Sequence, residues 1–260
     1  MNSHYSLENK IFRRLIFILI FISFFILNLA HSSVHTTLPV KYHTYKEDLY
    51  KEMNRLFPEF YVPPYFGALV EHESCISLTH SKCWDPKSRL KTQREEGAGL
   101  LQITRAYRAD GSLRFDTLTD MVRRYPKELK ELNWNNVYTR PDLQIRALLL
   151  LWKSNFDMMK NKDIDYWNVI AFSDAAYNGG YGDLKKEMQV CKMKIGCNEK
   201  IWFGNVEKTS VKSIKKLYGN RSAVDINRHH VNDVLNNRMN KYIMDWNNLG
   251  YYEKYPFGID

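Results

Sequence analysis

The sequence predicts a mainly α-helical, exported domain with one small β element and helical extensions at both ends. Three observations predict it. Apolar residues recur at helical spacing along most of the chain, without a strand-rich segment. The N-terminus joins basic residues to a long uncharged apolar run. Four cysteines fall into two close pairs, an even count that suits an oxidising compartment.

The N-terminal segment, residues 1 to 33, has Lys10, Arg13 and Arg14 ahead of "LIFILIFISFFILNL", fifteen residues without a charge. A basic flank before such a run reads as an export signal. It falls short of the about 20 residues that span a bilayer, although Ile11 and Phe12 lengthen it. Ala30 offers a cleavage site, but Asn28 stands where a small residue is preferred. A cleaved signal peptide and an uncleaved anchor both fit. The protein is therefore expected to be exported, periplasmic or facing the cell wall, with membrane association through residues 11 to 29 if the segment is retained.

Export bears on "HESCISLTHSKCW", where His72, Cys75, His80 and Cys83 stand at a spacing that a zinc site could use. Outside the cytosol the same cysteines suit a disulfide, which would remove two of the four ligands. Of three possible connectivities the local one is expected, Cys75 with Cys83 and Cys191 with Cys197. No metal or cofactor is called for.

The chain carries a formal net charge of +9, and +7 remains without residues 1 to 33. Its Lys and Arg residues are spread out rather than clustered, which argues against a nucleic-acid partner. For an exported basic protein an anionic wall polymer is the natural partner, beside the plainer reading of a generally solvated basic surface.

The elements follow in order. In 34 to 62, an N-terminal extension, Leu49, Met53 and Leu56 form a helical stripe. The central domain, 63 to 190, opens with "PPYFGALVEHES", where Pro64 suits a first helical turn. A small β element is expected within 84 to 104, around "GLLQI". "RPDLQIRALLLLWKSNFDMMK" is apolar over much of its circumference, as a buried helix would be. "DYWNVIAFSDAAYNGG" stops at Gly179 and Gly180. The C-terminal extension, 191 to 260, lines up Leu235, Met239, Tyr242, Ile243 and Trp246 on one helix face. His229 and His230 are expected on a solvated face, since adjacent side chains diverge by about 100°.

Phe66, Leu69, Val70 and Glu73 stand at i, i+3, i+4 and i+7, so Glu73 continues an apolar stripe while Glu71 points elsewhere. A carboxyl group against apolar surface has its charged form desolvated, which favours general-acid chemistry. The plainer alternative is a glutamate emerging into solvent at a helix end.

Two distant segments sharpen the choice. "GAGLLQITRAY" sets two glycines before Gln102, and "AAYNGG" puts Tyr177 and Asn178 at a helix end. In order with "ES" at 73 and 74, these resemble the ES, GLMQ and AYN motifs of the family 1 lytic transglycosylases, over about residues 63 to 182. The resemblance implies a lysozyme-like α domain that cleaves peptidoglycan glycan strands between N-acetylmuramic acid and N-acetylglucosamine. Glu73 matches the family's catalytic acid, which then serves as base on the muramoyl 6-hydroxyl and closes a 1,6-anhydro ring. Ser74 matches a serine supporting sugar or carboxylate, Gln102 a glutamine lining the cleft, Tyr177 a tyrosine orienting the acid, and Asn178 an asparagine contacting substrate. Leu101 departs from the family's methionine.

Two rival functions remain at this point. A hydrolytic muramidase of the goose-type lysozyme kind needs a second acid for water, for which Asp85, Glu95 and Glu96 lie in the right loop. A non-catalytic wall-binding or assembly protein would have no use for the acid.

Overall fold

Pro39 and the residues around it lead directly into the first predicted helix. The computed structural model describes residues 37–247 apart from 219. Its helix α1, Tyr42–Leu56, buries Leu49 and Met53 of the predicted stripe. The expected export segment lies outside the described residues. Among those described, no helix is long and apolar enough to cross a membrane.

Helix α2, Pro64–Ser74, begins where Pro64 fixes φ for the first turn. It buries every residue from Pro64 to Glu71, more of its circumference than one apolar stripe. Glu71, off that stripe, is buried as well, its carboxylate at 1 % exposure. Only a core surrounding the helix on all sides accounts for this pattern.

After α2 come four short antiparallel strands in the order β1-β2-β3-β4, namely β1 Arg89–Lys91, β2 Glu95–Ala98, β3 Ile103–Tyr107 and β4 Leu113–Asp116. The "GLLQ" segment is the turn between β2 and β3, so the strands flank it rather than contain it. Asp116 then caps α3, Thr117–Arg124, by accepting from the Thr119 amide at 3.0 Å, and it also accepts from Trp134 Nε1. A one-turn helix, α4, Pro126–Leu129, completes this part.

The long helix α5, Pro141–Met159, brings Trp152 into an aromatic cluster with Phe57, Phe60, Tyr65 and Phe66. Ring centroids there lie 4.9 to 5.9 Å apart, the range in which aromatic pairs add to their area burial. Helix α6, Tyr166–Gly179, packs on α5 and stops at Gly180, whose φ is 84°. Helix α7, Tyr181–Lys192, follows immediately.

The chain closes through the ribbon β5 Lys216–Tyr218 and β6 Arg221–Ser222, helix α8 Ala223–Asn232, a π-helical stretch Asp233–Arg238, and α9 Met239–Asn247. These elements do not form an appendage. The described residues from Leu38 onward cluster as one unit, and α9 lies directly on α2. A Cβ on Gly67 would sit 2.5 Å from the Tyr242 ring, so glycine is what lets the two helices approach. Two disulfides, Cys75–Cys83 and Cys191–Cys197, have the local connectivity that the sequence suggests and mark an oxidising, exported environment. The bond takes both thiols of the zinc-like spacing, while His72 turns to Asp233 at 2.7 Å.

Candidate active site

Glu73 stands on the last turn of α2, its side chain 16 % exposed. Its closest polar partner is not apolar surface but His230, whose Nε2 lies 2.9 Å from Glu73 Oε1. Sequence reasoning placed His230 on a solvated face, and the structure corrects this: the residue is 1 % exposed. Its neighbour His229 is the exposed member of the pair. A signal was available, because Asn227, His230, Val231 and Val234 occupy i, i+3, i+4 and i+7, and all four are buried.

Helix α8 is fixed in place by a capping box. Ser222 Oγ accepts from the Asp225 amide at 3.2 Å, and Asp225 Oδ2 accepts from the Ser222 amide at 2.8 Å. From α6, Asp174 reaches the other side of His230, with Oδ2 2.8 Å from Nδ1. Asp174 also accepts from the Tyr65 hydroxyl, which in turn accepts from Trp152 Nε1 at 2.6 Å. Glu73 therefore ends a chain of four further residues that runs into the aromatic core.

An ionised carboxylate can only accept, so a histidine held between two of them donates from both nitrogens. Burial by itself would push the imidazole down. The nearby charge and hydrogen bond of Asp174, joined by those of Glu73, outweigh it and push His230 up to about 10.

Tyr177, one turn beyond Asp174 on α6, carries its hydroxyl to the Leu101 carbonyl at 3.2 Å. That bond ties the "AYN" helix end to the "GLLQ" turn. The Tyr177 ring lies 6.1 Å from that of His230. Burial, and then the negative charges of Glu73 and Asp174, push its phenol well above the usual range, so it stays a neutral donor.

The turn itself is strained and well anchored. Gln102 has φ of 44°, a region that costs about 1–3 kcal/mol for a non-glycine residue. Its side-chain Nε2 donates to the Gly99 carbonyl at 2.8 Å. Gly99, at φ 73°, leaves space that the buried Gln144 fills, and Gln144 Oε1 accepts from the Leu100 amide at 2.8 Å.

The remaining expected residues have other surroundings. Ser74 turns inward, donating to the Val70 carbonyl at 2.6 Å and accepting from the Trp84 amide at 3.0 Å, so it secures the disulfide loop to the end of α2. Asn178 is exposed and accepts from Asn227 Nδ2 at 3.1 Å, a link between α6 and α8.

The loop carboxylates are committed elsewhere. Glu96 is 3 % exposed and engaged by Arg105, Tyr138 and Arg89. Burial pushes its carboxyl up, but these donors prevail and hold it down at about 2. Asp85 is partly buried and pairs with Lys41 at 2.6 Å, which holds it below the usual range against a larger single contribution from burial. Glu95 is partly buried on β2.

No protein-family model matches the chain, and no curated protein matches it.

Proposed function

We propose that this protein is a peptidoglycan lytic transglycosylase with a lysozyme-like domain, in which Glu73 acts first as general acid and then as general base. The observation that carries the reading is the Tyr177 hydroxyl on the Leu101 carbonyl. It joins two of the three motifs, and the Tyr177 phenol feels the charge of Glu73 in the third.

The chemistry suits a single carboxyl group. Glu73 protonates the oxygen between N-acetylmuramic acid and N-acetylglucosamine, and the C–O bond breaks with its electron pair on that oxygen. The Glu73 carboxylate then takes the proton of the muramoyl 6-hydroxyl as its oxygen bonds to the anomeric carbon. An internal nucleophile needs no second carboxylate to activate water. Glu96, held at about 2 by two arginines and a tyrosine, is a poor base for that task, and Asp85 is paired with Lys41. Gln102 in the strained turn and Asn178 at the helix end are the residues that would meet the sugar. Peptidoglycan glycan strands are thus the partner, in keeping with the basic charge. Retention of residues 11 to 29 would add a membrane anchor.

The test is mass spectrometry of muropeptides released by the wild type and by Glu73→Gln. Anhydro products from the wild type, reduced about 100-fold or more in the variant, are expected for loss of a general acid. Reducing N-acetylmuramic acid ends without anhydro product would make the protein a hydrolase. Equal release by the variant would remove Glu73 from the mechanism.

A further inference from the structure

We infer that Asp174 and His230 form a proton store for Glu73, holding on the histidine at neutral pH the proton that passes to Glu73 when it acts as the acid. The inference rests on the reading of Glu73 as the acid and adds to it a positioning residue supplied by the last fifth of the chain.

The geometry carries it. His230 bridges two carboxylates, with Nδ1 2.8 Å from Asp174 and Nε2 2.9 Å from Glu73. The ring is 1 % exposed and Asp174 is 0 % exposed, while Glu73 alone of the three reaches solvent. Behind Asp174, Tyr65 and Trp152 fix the carboxylate that fixes the ring. Such an orientation is of no use to a merely packed histidine, whose two nitrogens need only be satisfied.

Proton counting shows what the bridge does. With both ring nitrogens donating, the triad holds two nitrogen-bound protons and a net charge of −1. Transfer of the Nε2 proton to Glu73 breaks one N–H bond, leaves its electron pair on nitrogen, and forms one O–H bond. His230 is then neutral and still donates from Nδ1 to Asp174. Charge and proton number are unchanged, so the acid form of Glu73 arises without drawing a proton from solvent. After the glycosidic oxygen has taken this proton, the 6-hydroxyl returns one to Glu73, and the triad recovers its starting count.

The surroundings favour the stored proton. Glu73 and His72 face His230 from α2, the His72 ring at 4.4 Å, and Asp174 and Tyr177 face it from α6. Asp233, in the π-helical stretch, is occupied by His72 and Arg238. On α8 itself His229 is exposed, and Arg221 of β6 acts on His229. Two carboxylates in direct contact prevail over these cations, in line with a His230 imidazole raised to about 10. Since the proton is shared, its titration belongs to the pair rather than to either residue.

Two measurements on the full chain test this. The first follows the His230 ring by NMR from pH 5 to 10. Protonation persisting above pH 8 is expected, and titration near the ordinary histidine value of about 6.5 would overturn the proposal. The second compares muropeptide release by the wild type and His230→Gln between pH 4 and 9, with thermal melting to verify folding. The variant is expected to lose about 100-fold at pH 7 and to recover toward pH 4, where a lone carboxyl group takes up its own proton. An equal loss at every pH would assign His230 a structural role and overturn the store. If His230→Gln does not fold, the wild-type ring titration decides. If the wild type releases no muropeptides, the transglycosylase reading fails while the ring titration still judges the proton store.

Discussion

Glu71 accepts a hydrogen bond from the Tyr242 hydroxyl at 2.6 Å, and through it the helix of Glu73 is bound to α9, the last helix among the described residues. Arg238 and Lys241 add charge to the same carboxylate. Glu71 and Glu73, two residues apart, thus divide the work of the helix end: one anchors it and the other faces outward.

Removing the anchor should unfold the protein readily. Glu71→Ala leaves Arg238 and Lys241 without their shared anion in a nearly closed site, and breaking a buried ion pair costs about 3–5 kcal/mol. Urea denaturation is expected to reveal a loss of that order, whereas Glu71→Gln, which retains hydrogen-bonding atoms, should lose less.

Gly99 gives the second prediction. Gly99→Ala combines a φ of 73° with a Cβ that would overlap the Gln144 side chain. Overpacking alone costs about 1–3 kcal/mol, and the left-handed backbone adds to it. Denaturation should register at least about 2 kcal/mol, and muropeptide release should fall further than stability alone accounts for because the Gln102 turn shifts.

The pH dependence of stability follows from two groups of opposite sign. His230 is raised to about 10 from 6.5, so its stabilisation is complete below about 6.5 and is lost as pH rises toward 10. Glu96 is lowered to about 2 from 4.5, so its stabilisation is present above about 4.5 and is lost as pH falls toward 2. Urea midpoints should therefore peak between about pH 4.5 and 6.5. His230→Gln should flatten the alkaline side and leave the acid side intact.

The cysteines supply the last prediction. All four are paired, so thiol titration of the denatured, unreduced protein should find none free. In the chain-entropy view a short loop is worth about 2–3 kcal/mol, so Cys75→Ala with Cys83→Ala should lower stability by about that amount.

Periodicity and helix punctuation made much of this fold legible. Pro64, Pro141 and Gly180 bound helices where their backbone restrictions require it. Of the stripe Leu235, Met239, Tyr242, Ile243 and Trp246, all are buried except Ile243, which is half-buried. The strands were harder to place, because each has five residues or fewer and the apolar "GLLQI" run belongs mostly to a turn. Within the site, Glu73 stood out by its place on the stripe. His230 did not, since a polar residue on a polar-looking helix reads as solvated until its partner is known, and that partner lies 157 residues earlier. The burial of Glu71 was not legible for a related reason: a stripe argument assumes one buried face, and α2 has no free face over most of its length.

The separation of 157 positions from Glu73 to His230 also sets a timetable. The Cys75–Cys83 loop can close early, since its two cysteines stand 8 residues apart. The charge partner of Glu73 arrives only with α8. A chain that ends anywhere between Glu73 and His230 would carry the glutamate without its partner.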